Sequence, residues 1–288
     1  MNYICGLCNI FFALELLDNR EFNVMNYKKE EFMYCCGVAM TDVGTVKKVN
    51  QDSITLQIAE TKMGRACFAM VCDGLGGLDL GEVASGNAIL AFSNWFKTEF
   101  PKRIDTWTEE KIQKSWSDVM RYVNNKLLTY GKNNHYMLGT TITVMLLWKS
   151  RYYIMHVGDS RVYEITNRCI QLTNDQTFIA REIARGRLTK EQAVTDARRN
   201  VLLQCVGMTE KIVPEFYVGN VKTQATYLLC TDGFRHAVTE EEINHYCQWK
   251  AIIESGAMNR NMRYLIELNK RRGERDNISA ILIRTDKC

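Results

Sequence analysis

The sequence predicts an α+β fold with antiparallel sheets, because strand-like and helix-like segments come in blocks rather than in strict alternation. Two strand patterns, over 140–148 and 152–157, follow each other so closely that they predict a hairpin through 149–151. The 288 residues include only two prolines, so no Pro-rich linker divides the chain. Length and composition therefore favour one large domain.

The strands are predicted from alternating apolar and polar residues or from short, wholly apolar runs. The run from Ala66 to Cys72 is apolar throughout and indicates an interior strand with both faces covered. The other strands are predicted, in chain order, over 53–58, 140–148, 152–157, 212–218, 226–230 and 278–284.

The helices are predicted from apolar residues that recur every three or four positions. One helix is indicated by Ala84, Ala88, Ala91 and Trp95. Thr106 and Glu109 predict a capping box before a second helix, whose apolar face runs over 112–127, and Gly131 predicts its end. Two further helices are predicted over 240–249 and 258–270.

Two stretches depart from these patterns. Residues 1–32 are irregular and are interpreted as an N-terminal appendage of unknown role, which leaves 33–288 as a single domain. The stretch 175–205 is polar and carries five arginines, which predicts a basic surface flap. A pair of solvated helices is the alternative interpretation of that stretch.

Charge and cysteine usage exclude several classes of protein. The net charge of +4 is weak and not clustered, which argues against nucleic-acid binding. No run of about 20 apolar residues predicts a membrane span, and no basic residue precedes Arg20 as in a signal peptide. The eleven cysteines are odd in number and lie mostly in apolar runs, as in a reducing compartment. We therefore expect a cytoplasmic monomer that binds neither nucleic acid nor membrane.

Four aspartates stand at the ends of predicted core strands. Asp52 and Asp276 come just before strands, whereas Asp73 and Asp232 follow strands and precede glycine. A single Asp-Gly is ordinary turn chemistry, but four carboxylates at adjacent strand ends would converge and repel one another. A cation resolves that repulsion. Mg²⁺ or Mn²⁺ suits an all-oxygen site better than Zn²⁺ does.

A fifth aspartate lies between two predicted strands. Gly158 permits a turn there, and Asp159 could then face the same end of the sheets. The alternative is a plain hairpin turn in which Arg161 pairs with Asp159. The local pattern alone does not decide between the two.

Six segments resemble, in order, the motifs of the metal-dependent serine/threonine protein phosphatases, the PPM or type 2C family. Their residues are 41–53, 71–85, 139–141, 156–161, 229–233 and 275–278. Each motif is weak by itself, but six in the family's order are specific. The bacterial single-domain branch of the family is the most similar.

The resemblance implies a four-layer α-β-β-α sandwich, in which two antiparallel sheets pack face to face between helices. It also implies a binuclear Mn²⁺ or Mg²⁺ centre in which Asp73 bridges the ions. Asp232 and Asp276 would complete the site of one ion. Asp52 and the carbonyl of Gly74 would serve the other.

The resemblance implies further roles at the margin of this centre. Asp159, with Asp232, matches the position that binds a third, weaker ion in bacterial relatives. Lys47 stands where the family usually has a phosphate-binding arginine, and it keeps the charge but not the bidentate fork. Lys48 is expected to be solvated. The eukaryotic branch has a histidine where this chain has Leu75, so the leaving-group proton is expected from water or a third ion.

These features predict a phosphatase that hydrolyses phosphoserine and phosphothreonine with a metal-activated water and no phosphoenzyme. Neither a Gly-x-Ser-x-Gly nor a Cys-x5-Arg motif competes with this mechanism. The expected partners are phosphoproteins made by a Ser/Thr kinase. Two alternatives stay open at this point: a phosphoprotein-binding module without activity, and a phosphoesterase for small molecules on the same metals.

Overall fold

The computed structural model describes residues 33–75 and 80–287, and the appendage predicted for 1–32 lies outside them. Within these ranges the strands are β1 Met33–Asp42, β2 Ser53–Thr61, β3 Gly64–Cys72, β4 Ile142–Trp148, β5 Arg151–Val157, β6 Arg161–Ile165, β7 Cys169–Gln171, β8 Glu215–Asn220, β9 Ala225–Cys230 and β10 Ile278–Lys287. They form two antiparallel sheets of five strands, with the orders β1-β10-β9-β6-β7 and β2-β3-β4-β5-β8. The hairpin predicted through 149–151 is confirmed by the pairing of β4 with β5.

The helices of the described residues are α1 Gly81–Asn94, α2 Phe100–Lys102, α3 Glu109–Asn134, α4 Phe178–Ala184, α5 Lys190–Thr195, α6 Asp232–Arg235, α7 Glu240–Cys247 and α8 Ala257–Arg271. A π-helical turn, Trp95–Glu99, joins α1 to α2. A 3-10 turn, Trp249–Ile252, follows α7. None of these helices combines the length and apolar character needed to cross a bilayer.

The two sheets pack face to face, and helices cover both outer faces. On β3, Cys67, Ala69 and Val71 lie in the layer between the sheets, whereas Phe68 and Met70 lie in the layer beneath the helices. Helices α1 and α3 cover the second sheet, and α7 and α8 cover the first. The wholly apolar run therefore forms a strand covered on both faces, and the four-layer sandwich is confirmed.

Antiparallel pairing brings the four strand-end aspartates to one end of the sandwich. Because β2 and β3 pair along their full lengths, Asp52 before β2 lies beside Asp73 after β3. In the other sheet β9 pairs with β10, so Asp232 and Asp276 flank the same end of that ladder. Thr231 Oγ1 donates to Asp52 Oδ2 at 2.9 Å and joins the ends of the two sheets.

The capping box predicted from Thr106 and Glu109 is wrong. Thr108 is the N-cap of α3: its backbone is extended, and its Oγ1 accepts a hydrogen bond from the Lys111 N–H at 3.4 Å. Glu109 is the first helical residue, where a negative charge interacts favourably with the helix dipole. Thr108, two residues after the predicted Thr106, is the threonine that adopts the cap geometry.

The helix end predicted at Gly131 is also wrong, because α3 continues to Asn134. His135 follows as the C-cap of the helix. It has a left-handed φ of 58° and donates its N–H to the Gly131 carbonyl. A Cβ at Gly131 would lie 2.7 Å from the carbonyl oxygen of Tyr136. This glycine therefore serves the close approach of the chain after the helix.

The flap predicted over 175–205 contains the two short helices α4 and α5, so the alternative of a helix pair describes it well. Its arginines are partly paired within the flap, since Glu182 binds Arg187 and Asp196 binds Arg198. These ion pairs reduce the net positive charge that the flap offers to a ligand.

The segment 156–161 connects the sheets and does not form a hairpin. β5 ends at Val157 in one sheet, and β6 begins at Arg161 in the other. Gly158 makes the change of sheet possible with a φ of +115°, and a Cβ there would lie 2.5 Å from Cγ2 of Thr141. Both the backbone conformation and the space require glycine.

We predict that Gly158→Ala lowers the free energy of unfolding by roughly 1–3 kcal/mol, because the new side chain meets both strain and a collision. Gly86→Ala is the matched control, since that glycine lies within α1 and the added Cβ meets no atom within 4 Å other than neighbouring backbone of its own helix. The control is expected to stabilise the protein by about 0.5–1 kcal/mol. Urea unfolding measures the free energy of unfolding of both variants. A Gly158→Ala variant as stable as the wild type would contradict the requirement for glycine at this position.

Candidate active site

The backbone of Asp73 is fixed from two sides. Its N–H donates to Thr141 Oγ1 at 2.9 Å, and its carbonyl accepts from the Thr141 N–H and from Thr140 Oγ1, both at 2.9 Å. The next residue, Gly74, donates its N–H to the Gln51 carbonyl at 3.1 Å. A Cβ at Gly74 would lie 2.5 Å from that same carbonyl oxygen. The chain after β3 therefore runs directly against the chain that leads into β2.

A second glycine brings the two aspartates of the other sheet together. Asp232 is the first residue of α6, and Gly233 follows it. A Cβ at Gly233 would collide with the carbonyl oxygen of Asn277 and would lie 3.3 Å from Cβ of Asp276. Glycine thus permits α6 to start against the residues that precede β10.

The charges of these aspartates act on one another. Burial, together with the charges of Asp232 and Asp276, raises the pKa of Asp52 to about 7, although two hydroxyl hydrogen bonds oppose the rise. Burial also raises the pKa of Asp73 well above its usual range, and the charges of Asp52, Asp232, Asp159 and Asp276 add to this effect. The four carboxylates therefore form one electrostatic group, which a cation would stabilise.

Three of the four carboxylates of this group contact protein partners. Asp52 accepts from Thr231, Asp276 Oδ1 lies 3.0 Å from Lys47 Nζ, and Asp232 contacts a histidine. Across 33–75 and 80–287, no three His, Cys, Asp or Glu side chains already stand as a complete set of metal ligands. An ion therefore has to replace these partners, and the mainly carboxylate donors suit Mg²⁺ or Mn²⁺.

Lys47 lies at the rim of the group. Its ammonium faces Asp276 across 3.0 Å, and about a quarter of the side chain, 28%, stays exposed to solvent. Gly44 lets the loop pass close to the strand end, because its φ is +79° and a Cβ there would collide with the Asp276 carbonyl. A substrate phosphate that approaches from solvent would meet this ammonium beside the carboxylates.

Asn277 braces the loop that carries Lys47. Its Nδ2 donates to the carbonyls of Val43 at 2.9 Å and Val49 at 3.2 Å, and its Oδ1 accepts from the Gln51 N–H at 2.9 Å. These three bonds span both ends of the loop. The sequence motif contained Asn277 without assigning it a role, and a buried amide next to a motif aspartate is the signal that could have done so.

The fifth aspartate lies on the outer side of the group, and its predicted alternative partner is wrong. Arg161 does not pair with Asp159 but binds Asp175 through two bonds of 2.7 Å. The cation beside Asp159 is Arg235, whose Nη2 donates to the Asp159 carbonyl at 3.1 Å and lies 3.7 Å from Oδ2. Burial and the charge of Asp232 raise the pKa of Asp159 to about 7, and Arg235 opposes this rise.

A histidine and a glutamate that the sequence reasoning missed complete the site. His236 Nε2 lies 3.5 Å from Asp232 Oδ2, and its Nδ1 lies 3.4 Å from Glu274 Oε2. Glu274 Oε1 also accepts the N–H groups of Arg275 at 2.7 Å and Asp276 at 2.9 Å. The adjacent residues Arg235 and His236, about one helical turn after Asp232, were the available signal in the sequence.

Comparison with known proteins agrees with this architecture. The sequence model described as protein phosphatase 2C matches residues 44–286. A serine/threonine phosphatase stp of Listeria monocytogenes is 30% identical over 251 residues, which cover 85% of this chain and 94% of the relative. The structure of Stp1 from Staphylococcus aureus has a TM-score of 0.76 at 24% identity, over 91% of this chain and 99% of that one, and this likeness concerns the fold.

A further structure is the catalytic domain of the serine/threonine protein phosphatase PstP in complex with two manganese ions. It has a TM-score of 0.68 at 25% identity and covers 88% of this chain and 99% of that one. The matching family model spans most of the chain, from the loop before Lys47 to the last residues of β10. The chain therefore belongs to the protein phosphatase 2C family of serine/threonine phosphatases.

Proposed function

We propose that this serine/threonine phosphatase hydrolyses its phosphoprotein substrates at a centre of two Mn²⁺ or Mg²⁺ ions. The observation that carries the proposal is the convergence of four aspartates at one end of the sandwich, where burial, and then their mutual charge, raises the pKa of Asp52 and Asp73. Cations stabilise such a group, and the similar PstP domain binds two manganese ions.

The position of each aspartate supports a particular role. The proposed bridge between the ions is Asp73, because the charges of Asp52, Asp232 and Asp276 all act on its carboxyl group. Asp232 and Asp276 share one sheet end and would hold one ion. Asp52, with the carbonyl of Gly74, would hold the other, since Gly74 is bonded to the residue before Asp52.

When bound, the ions supply the positive charge that lowers the pKa of a water and offsets charge on the phosphoryl group. The water oxygen forms the new bond to phosphorus while the bond to the serine or threonine oxygen breaks. That leaving oxygen takes up a proton from water, and inorganic phosphate is the second product. The protein contributes orientation, because hydrogen bonds to the backbone hold Asp73 and Asp276 in place.

The remaining expectations extend the same proposal. The phosphatase opposes a Ser/Thr kinase, acts in the cytoplasm as a monomer, and has 33–288 as its single catalytic domain. The eight cysteines of the described residues are free thiols, which supports a reducing compartment. The weak net charge of +4 supports binding to neither nucleic acid nor membrane.

Phosphate release from a phosphothreonine peptide tests the proposed centre. We expect Mn²⁺ to support activity, EDTA to abolish it, and Asp232→Asn to lower kcat by roughly 100-fold or more, because the ions contribute several kcal/mol of charge stabilisation. Asp118→Asn is the matched control, since that exposed aspartate pairs only with Arg121 on the surface of α3 among the described residues. Activity that survives EDTA would contradict the mechanism. Preference for sugar phosphates or nucleotides would contradict the substrate class.

Substitution of the two neighbouring lysines tests the phosphate contact. We expect Lys47→Ala to raise KM for the phosphopeptide roughly 10-fold, because a charge-assisted hydrogen bond to phosphate is lost. Lys48→Ala removes an exposed lysine from the same loop and should leave KM nearly unchanged. Lys47→Arg should restore the contact, since a guanidinium binds phosphate through two bonds. Equal KM values for the two alanine variants would show that Lys47 is misassigned.

A further inference from the structure

The outer side of the aspartate group already contains a cation that belongs to the protein. The guanidinium of Arg235 lies between two carboxylates, with Nη2 3.7 Å from Asp159 Oδ2 and 3.6 Å from Asp175 Oδ2. The same nitrogen donates to the Asp159 carbonyl oxygen at 3.1 Å. We propose that Arg235 takes the place of a third metal ion beside Asp159, so that the protein binds two divalent ions. This inference rests on the proposed two-ion centre.

Charge balance is the first argument. The outer side holds two carboxylates, Asp159 and Asp175, and two guanidinium groups, Arg161 and Arg235. Arg161 binds Asp175 through two bonds of 2.7 Å, which is the strong bidentate form of this pair. Arg235 then balances Asp159. These four side chains carry no net charge without an ion, whereas the four aspartates of the inner group do.

Burial is the second argument. The side chains of Arg235 and Asp159 are each only 13% exposed, so their charges are poorly screened by water. Arg235 Nε makes no hydrogen bond within the described residues. A guanidinium that is buried and incompletely hydrogen-bonded is unfavourable unless nearby carboxylates compensate its charge. An additional divalent ion at Asp159 would remove that compensation and place two cations side by side.

Attachment is the third argument. Arg235 is the last residue of α6, and Asp232, the first residue of the same helix, belongs to the inner group. One short helix thus supplies a carboxylate to the inner group and a fixed cation to the outer side. Because arginine stays charged at all relevant pH values, this cation cannot leave when the concentration of metal falls.

Counting bound ions tests the inference without reference to activity. The full chain is dialysed to equilibrium against increasing free Mn²⁺, and the bound manganese is measured by mass spectrometry. We expect two ions for the wild type and a third, weaker ion for Arg235→Ala. Arg235→Lys, which keeps the charge, should return the number to two. The double variant Arg235→Ala/Asp159→Asn should also bind two ions, because the third ion depends on Asp159.

Three ions on the wild type, with the third lost in Asp159→Asn, would overturn the inference. An Arg235→Ala variant that folds by circular dichroism but gains no ion would overturn it as well. If Arg235→Ala does not fold, the wild type and Asp159→Asn decide: two ions on both support the inference, and a fall from three to two contradicts it. A wild type that binds no manganese would contradict the proposed two-ion function itself.

Discussion

Repulsion between converging carboxylates is the constraint on which the rest of the structure depends. Two sheets bring Asp52, Asp73, Asp232 and Asp276 to one end of the sandwich, and burial with neighbouring charge raises the pKa of Asp52 from 3.8 to about 7. The metal-free folded chain then keeps a proton that the unfolded chain loses near pH 4. The contribution of Asp52 to the stability of the metal-free chain therefore falls as the pH rises from about 4 to 7. The site is therefore maintained at a cost to the fold.

The surrounding residues hold this unfavourable group together. Gly74 and Gly233 allow backbone approaches that any side chain would prevent. Asn277 and Glu274 use buried polar atoms to fix the backbone on either side of Asp276. Most of these contacts are made by backbone groups, so the strand ends stay in place whatever the ionisation of the carboxylates. The backbone thus fixes the positions of the aspartates, and bound cations would offset the repulsion between their charges.

The fold and the meeting of the aspartates were predictable because they follow from local patterns. Apolar runs defined the strands, and antiparallel pairing brings their ends together whichever sheet they join. The errors concern contacts that no local pattern specifies. The partner of Arg161 is Asp175, fourteen residues away, and the cation of Asp159 is Arg235, 76 residues away. Which of two threonines caps α3 depended on backbone angles. The roles of the aspartates in metal binding remain predictions.

The central claim is that the fold tolerates the repulsion at Asp73 and that cations relieve it, and the free energy of unfolding with and without Mn²⁺ tests this most directly. In EDTA, Asp73→Asn should be more stable than the wild type because one buried charge is gone. Free Mn²⁺ at 100 times its dissociation constant should stabilise the wild type by about 2.7 kcal/mol, and Asp73→Asn by much less. A wild type that gains nothing from Mn²⁺, together with an Asp73→Asn variant that is less stable in EDTA, would contradict the account.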